Sequence, residues 1–206
     1  MAADHPDHGS WDPLSVHELA HVFSRAPFRW WVAGGLALEL HIGTRWRVHA
    51  DADVGLVRTD APLAHEYLGE WKLWVATAGH LRPWRGEPLR AELNENNVWA
   101  HQVGEEHWAF DLAVGSGTAH HWAYRRDESV RRPWDRAILT TEEGIPYLAP
   151  DLQLLFKSKN PRPKDDQDAR VVASGLTTEE HLFLDSHLSP GHPWRALLVT
   201  PPGSSR

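Results

Sequence analysis

The chain contains no cysteine, which excludes disulfides and thiolate metal sites. It has no excess of base: 21 Lys and Arg stand against 28 Asp and Glu, a formal charge of −7. That balance argues against a general nucleic-acid binder, which needs a basic face to displace counterions. It is an ordinary solubility charge, and it would also suit a cationic small substrate. No apolar run is long enough to span a membrane. Residues 1–10 are polar and lack the apolar stretch of a secretory leader. A cytoplasmic protein without a membrane partner is therefore expected. No internal repeat is visible. What is present, 206 residues with 41% hydrophobic and 24% charged content, suits one large domain or a domain with a small appendage. Twelve tryptophans are expected mostly as core or half-buried anchors.

Patterning divides the chain into a loose lead (1–13), a strand-rich core (14–149) and a helical region (150–206). Residues 14–24 carry Val16, Leu19, Ala20 and Phe23 on one helical stripe, with Ser15 as a possible N-cap. A short apolar strand over 28–33 is followed by a buried helix over 36–42 that Gly43 would end. A strand over 53–58, a helix over 61–69 and a strand over 72–77 come next. Residues 97–103 and 107–114 flank Gly104-Glu105-Glu106 and read as a hairpin. In its second strand Trp108, Phe110, Leu112 and Val114 fall on one face, and Ala109, Asp111 and Ala113 on the other. The Arg-, Trp- and His-rich stretch 118–148 suggests further short strands and loops. Helices are expected over 150–159, 164–174 and 177–186, the last opened by a Thr177-x-x-Glu180 capping box, with a short terminal helix after the 189–193 turn. Strands first and helices last make an α+β arrangement.

The chemistry is concentrated at two points. Trp30-Trp31-Val32-Ala33-Gly34-Gly35 reads as a strand turning through glycines into a helix, and Asp51-Ala52-Asp53 opens the next strand. Residues i and i+2 of a strand point the same way, so the two carboxylates form a hard oxygen pair. Such a pair suits Mg²⁺, which binds through one or two carboxylates plus substrate phosphates. A Gly-Gly turn at a helix start offers backbone N–H groups to a phosphate. Asp111, within an apolar strand, would be costly to bury without a cation or hydrogen bonds beside it. Together these features point to chemistry on a nucleoside triphosphate.

Gly34-Gly35-Leu36-Ala37, Gly43, Arg47, His49, Asp51 and Asp53 resemble the signature of the nucleotidyltransferase superfamily, in its small aminoglycoside 2''-adenylyltransferase and lincosamide nucleotidyltransferase branch. The likeness runs over residues 30–57 and extends more loosely through Asp111, Leu154-Leu155-Phe156-Lys157-x-Lys159 and Lys164-Asp165-Asp166. The resemblance implies a mixed β-sheet with flanking helices, followed by a helical region. It implies Asp51, Asp53 and Asp111 as Mg²⁺ ligands, with Asp111 also the candidate general base. Gly34 and Gly35 would approach the triphosphate, and Arg45, Arg47, Lys157 and Lys159 could contact the nucleotide. Lys157 and Lys159 could equally be a solvated helix end, Arg45 and Arg47 surface or packing arginines, and His49 a structural hydrogen-bonder. The implied reaction moves a nucleoside monophosphate, AMP from ATP, to a hydroxyl of a small molecule or protein and releases pyrophosphate. Ala52 replaces the larger aliphatic usual between the two aspartates, and residues 118–136 match no known resistance enzyme, so antibiotic specificity does not carry over.

Other readings compete. A catalytically weak antitoxin or binding module could keep the fold. A nucleotide-sugar glycosyltransferase could use Asp51 and Asp53, although the glycine turn and Asp111 argue against it. His17-Glu18-Leu19-Ala20-His21 fits the zinc-protease pattern His-Glu-x-x-His, with Glu39 as a conceivable further ligand. Both histidines, however, lie off the apolar stripe of their helix, toward solvent. His120-His121 reads as strand-surface histidine before metal site.

Overall fold

The computed structural model describes residues 9–198. Of the lead expected over 1–13, residues 1–8 lie outside that range. Residues 9–13 run beside the sheet rather than loosely: Trp11 bridges Trp108, and the Asp12 N–H donates to the Trp108 carbonyl at 3.0 Å. Ser15 caps α1 (Val16–Val22) in a full capping box with Glu18. β1 (Trp30–Val32) turns through Ala33 into α2 (Gly34–Ile42), which Gly43 ends in the left-handed conformation at φ 74°. After β2 (Asp53–Val57) come α3 (Ala61–Tyr67), β3 (Trp71–Thr77), β4 (His80–Pro83), β5 (Asn97–Gln102) and β6 (Phe110–Gly117). The stretch 118–148 resolves into β7 (His121–Tyr124), β8 (Asp127–Pro133), α4 (Trp134–Ala137), β9 (Ile138–Thr140) and β10 (Pro146–Leu148). The last third is helical, as its patterning implies: α5 (Pro150–Ser158), α6 (Pro163–Ala173), α7 (Thr178–His187) and α8 (Arg195–Leu198).

The strands form one mixed sheet in the order β4-β3-β5-β6-β2-β1-β10-β9, with the β7–β8 hairpin joined to the far end of β6. This is the mixed-sheet α+β class expected from sequence. One face, bearing Val54, Leu56, Phe110, Leu112 and Val114, is covered by Leu19 of α1, by its C-cap Phe23 and by Ala61 and Ala64 of α3. The other side is closed by the helical third. Trp31, Trp122 and Trp134 share a core with Leu152, Leu155, Val172 and Leu184. Burying side chains of this size contributes roughly 1.5–3 kcal/mol each, so the helices are a structural part of the sheet's second face. Among the described residues no helix is long and apolar enough to cross a membrane.

The expected face of Trp108, Phe110, Leu112 and Val114 breaks at its first member. The regular strand begins at Phe110. Trp108 joins Trp74 and Leu81, while Ala109 enters the main core. β4 is absent from the sequence reading. Its turn needs left-handed backbone at both Ala78 (φ 49°) and Gly79 (φ 76°), and alanine gives no turn signal.

β5 is anchored at its start by Glu95. This carboxylate is buried and accepts from Arg82 Nη2 at 2.9 Å, Arg90 Nη2 at 3.1 Å and the Arg90 backbone N–H at 2.8 Å. Burial alone would raise its pKa, but the Arg90 and Arg82 hydrogen bonds win and hold it down to about 2. The unfolded value is about 4.3, so the stabilisation is complete above that pH and is lost as pH falls toward the folded value. Glu95→Gln is expected to flatten the acid limb of a plot of denaturation midpoint against pH. An unchanged limb would mean that Glu95 carries no such linkage.

Candidate active site

Two adjacent parallel strands put Asp53 and Asp111 in direct register. Neighbouring strands lie about 4.8 Å apart, and paired residues face the same side. The side is the one turned toward the helical third, opposite Phe110 and Leu112. Asp111 is buried, and its Oδ2 accepts from Asn97 Nδ2 at 2.6 Å. Its Oδ1 is buried with no hydrogen-bond partner among the described residues. Burial, then the Asp53 charge, push the Asp111 pKa well above the usual carboxylate range, against side-chain hydrogen bonds from Asn97 and Trp99. Asp53 is raised by burial and then by Asp51, with Lys157, Lys164 and Arg125 pulling the other way. Asp51, half-buried, stands just before β2, and its charge is felt by both.

The paired glycines are required by close approach. Gly34 has φ +68°, and a Cβ there would sit 2.0 Å from Asp53 Oδ2. A Cβ on Gly35 would meet Arg47 Nη2 at 2.1 Å and His49 Cε1 at 2.4 Å. The Gly34 N–H is already engaged, donating to Gln153 Oε1 of α5 at 2.9 Å. The turn thus fixes a carboxylate and ties the sheet to the helical third, in addition to standing at a helix start.

Arg47 has a different place from that expected of a phosphate contact. Its Nε and Nη2 donate to the two oxygens of Asp168 on α6, at 2.8 and 2.9 Å, and Asp168 is fully buried. Trp46 Nε1 adds a third bond to Asp168 at 3.0 Å. Glu39 of α2 accepts from the backbone N–H of Trp46 at 3.0 Å and stands 3.0 Å from His49 Nε2. Arg47 and His49 therefore hold the loop 44–52 that delivers Asp51 and Asp53. Arg45 is exposed and bonds back to the Arg47 carbonyl. Lys157 lines the site but is neutralised by Asp165 at 2.8 Å and Asp168 at 3.0 Å, whereas Lys159 lines it without such a partner among the described residues.

The zinc-protease pattern dissolves into surface and cap chemistry. Glu18 binds Ser15, and His17 is exposed beside Glu143 at 2.9 Å. Among the described residues no group of three His, Cys, Asp or Glu side chains is arranged to hold an ion.

Asp53, Gly34, Asn97, Lys157 and Lys159 open onto one cavity of about 340 Å³ between the sheet and α5. Its floor is made of small residues, Gly55, Ala113 and Gly115, and aromatic walls come from Trp31, Trp122 and Phe156. The sequence model of the family described as Aminoglycoside-2''-adenylyltransferase matches residues 15–172. The chain belongs to that family. It is accordingly a nucleotidyltransferase.

Solved structures agree in fold. ANT(2'')-Ia in complex with adenylyl-2''-tobramycin is 8% identical with a TM-score of 0.53, over 84% of this chain and 94% of that one. The lincosamide antibiotic adenylyltransferase LnuA, lincomycin-bound, is 15% identical with a TM-score of 0.50, over 74% and 90%. The solution structure of ANT(2'')-Ia is 12% identical with a TM-score of 0.50, over 83% and 87%. No curated protein matches the chain.

Within this adenylyltransferase family member the carboxylates fit a divalent cation. The buried Asp111 Oδ1, unpartnered among the described residues, lies beside a second carboxylate, and both pKa values are raised by burial and then by a neighbouring carboxylate charge. Two carboxylates with further oxygens from phosphate and water are the usual attachment of Mg²⁺, so the missing third ligand is no obstacle. Sequence reasoning missed Asn97, Gln153, Arg125, Arg126 and Arg162, all of which line the cavity. Asn97 could have been found: it lies at the start of the strand that pairs antiparallel with the one bearing Asp111.

Proposed function

We propose that this chain transfers AMP from ATP to a hydroxyl of a small molecule in a Mg²⁺-dependent reaction that releases pyrophosphate. The observation that carries this reading is the in-register Asp53–Asp111 pair with one buried oxygen left open. Asp53 and Asp111 would hold the ion, with the Asp51 carboxylate close by, and the ion would orient the triphosphate and offset charge growing on the phosphoryl oxygens. Asn97 fixes one oxygen of Asp111 and leaves the other free to take the proton of the acceptor hydroxyl. As that proton moves, the hydroxyl oxygen bonds to the α-phosphorus, the bond from the α-phosphorus to the bridging oxygen breaks, and pyrophosphate departs with the electron pair. Lys159 supplies positive charge to the phosphate tail, whereas Arg162 is already paired with Asp165.

Pyrophosphate release from ATP across a panel of hydroxyl acceptors tests the reading. Release should require both acceptor and Mg²⁺; turnover that persists in chelator sinks it. The glycine turn gives a second check. In Gly34→Ala the new methyl displaces the Asp53 carboxylate and strains a left-handed residue, a backbone cost of about 1–2 kcal/mol. Turnover should fall about 100-fold, as for a displacement of order 1 Å in the reacting geometry. A Gly34→Ala enzyme of normal turnover would place the chemistry elsewhere.

A further inference from the structure

A half-buried arginine in the cavity wall has no paired anion among the described residues. Arg125, just after β7, is half-buried and lines the cavity. Its Nη1 donates to the Val114 carbonyl at 3.1 Å, and its guanidinium lies 5.5 Å from the centre of the Phe156 ring. No other donor of its fork has a protein partner among the described residues, and no carboxylate pairs with it. Three other enclosed cations of this chain are paired with carboxylates, while half-buried Arg58 is satisfied by the Glu95 carbonyl and the Asn96 side-chain oxygen. Arg47 is paired with Asp168, Arg132 with Asp151, and Lys157 with Asp165 and Asp168. Arg126 stands beside Arg125, tethered through Nη1 to the Phe156 carbonyl at 2.7 Å and placed 5.5 Å from the same ring. Both guanidinium groups are therefore held in place by main-chain carbonyls and an aromatic ring, none of which neutralises them. Burial, then the Arg126 charge, lower the Arg125 pKa, with Asp111 opposing. Enclosing a charge without a counter-charge is costly, and a planar guanidinium fork matches two oxygens of a phosphate or carboxylate.

We propose that Arg125, with Arg126 beside it, forms an oxyanion subsite in the wall of this cavity that takes a phosphate or carboxylate group of a substrate. The oxyanion has two possible sources, the phosphate tail of the donor or an anionic group on the acceptor. This assignment rests on the nucleotidyltransferase reading only for the source of the anion. If the acceptor supplies the oxyanion, it is an anionic hydroxyl compound; if the donor does, the subsite leaves the acceptor's charge open.

The test is calorimetric titration of the full chain and of Arg125→Gln and Arg125→Lys. In one arm the titrant is tripolyphosphate without metal. In the other, hydroxy acids and sugar phosphates are added over Mg²⁺ and a saturating non-hydrolysable ATP analogue. Thermal midpoints of the ligand-free variants are measured alongside. Arg125→Gln should bind anion at least tenfold more weakly, Arg125→Lys should recover part of the loss, and the ligand-free midpoint of Arg125→Gln should match or exceed wild type. A loss in the first arm assigns the subsite to the donor; a loss confined to the second assigns it to the acceptor. Anion affinity unchanged in both arms overturns the proposal, as does wild type that binds no anion. So does a ligand-free midpoint several degrees lower in both variants, which would mark a purely structural arginine. Because the first arm involves no metal and no turnover, its result is readable even if nucleotidyl transfer fails.

Discussion

Asp53→Asn is expected to abolish measurable nucleotidyl transfer, lowering pyrophosphate release by roughly 10³-fold or more, which equals about 4 kcal/mol of lost transition-state stabilisation. The substitution keeps the shape of a side chain that touches Gly34 and faces Asp111 across the strand pair. It removes only the charge. Loss of activity alone would not distinguish catalysis from unfolding, so the ligand-free protein supplies a second readout. Asp53 and Asp111 both have folded pKa values above their unfolded ones. Their cost to stability is therefore absent in acid and grows as pH rises through the raised values. Removing one charge relieves the other, and Asp53→Asn should show a higher denaturation midpoint than wild type at pH 8 and a smaller difference at pH 5. Mg²⁺ should raise the wild-type midpoint at pH 8 and leave that of the variant nearly unmoved. An active Asp53→Asn, or one destabilised at pH 8, would refute the assignment.

That gain in stability on losing a functional group also explains which parts of the site are legible in the sequence. Asp111 stands out because strand periodicity places an acid between Ala109 and Ala113 in an otherwise apolar run, a local conflict that a core residue would not tolerate. Asp51 and Asp53 stand out because a strand, a glycine turn and a helix precede them in short order. The helical third is legible from Thr177-x-x-Glu180 and the helix opened by Pro150, whose signals are local. Partners distant in the chain carry no such signal. Arg47 reads equally well as a phosphate contact or a packing group until Asp168, 121 residues away, is seen to claim it. The stretch 118–136 is opaque for the same reason. Trp122 and Tyr124 are buried against Phe156 and the helices, a surface that does not exist locally. Arg125 and Arg126 are then two arginines in a polar loop, and only the cavity distinguishes them from solvent-facing ones.

The long-range clasp is also where stability should be most sensitive. Asp168 is fully buried and receives Arg47, Trp46 and Lys157 together. Burial would raise its pKa, but the Arg47 hydrogen bonds and the Lys157 charge hold it below the ordinary range. Asp168→Ala strands Arg47 and an indole N–H and takes one of two carboxylates from Lys157, and breaking a buried pair from one side costs about 3–5 kcal/mol. For a chain of this size that corresponds to a fall of roughly 6–20 °C in Tm. The loss should reach the active site as well, because Arg47 anchors the loop that carries Asp51 and Asp53. Denaturant titration with a double-mutant cycle of Arg47→Met and Asp168→Ala would measure the coupling. Arg47→Met on the Asp168→Ala background should recover part of the stability by removing one stranded charge, with Lys157 still able to lean on Asp165. A cost below about 1 kcal/mol, in the range of a surface pair, would show that the clasp does not hold the loop.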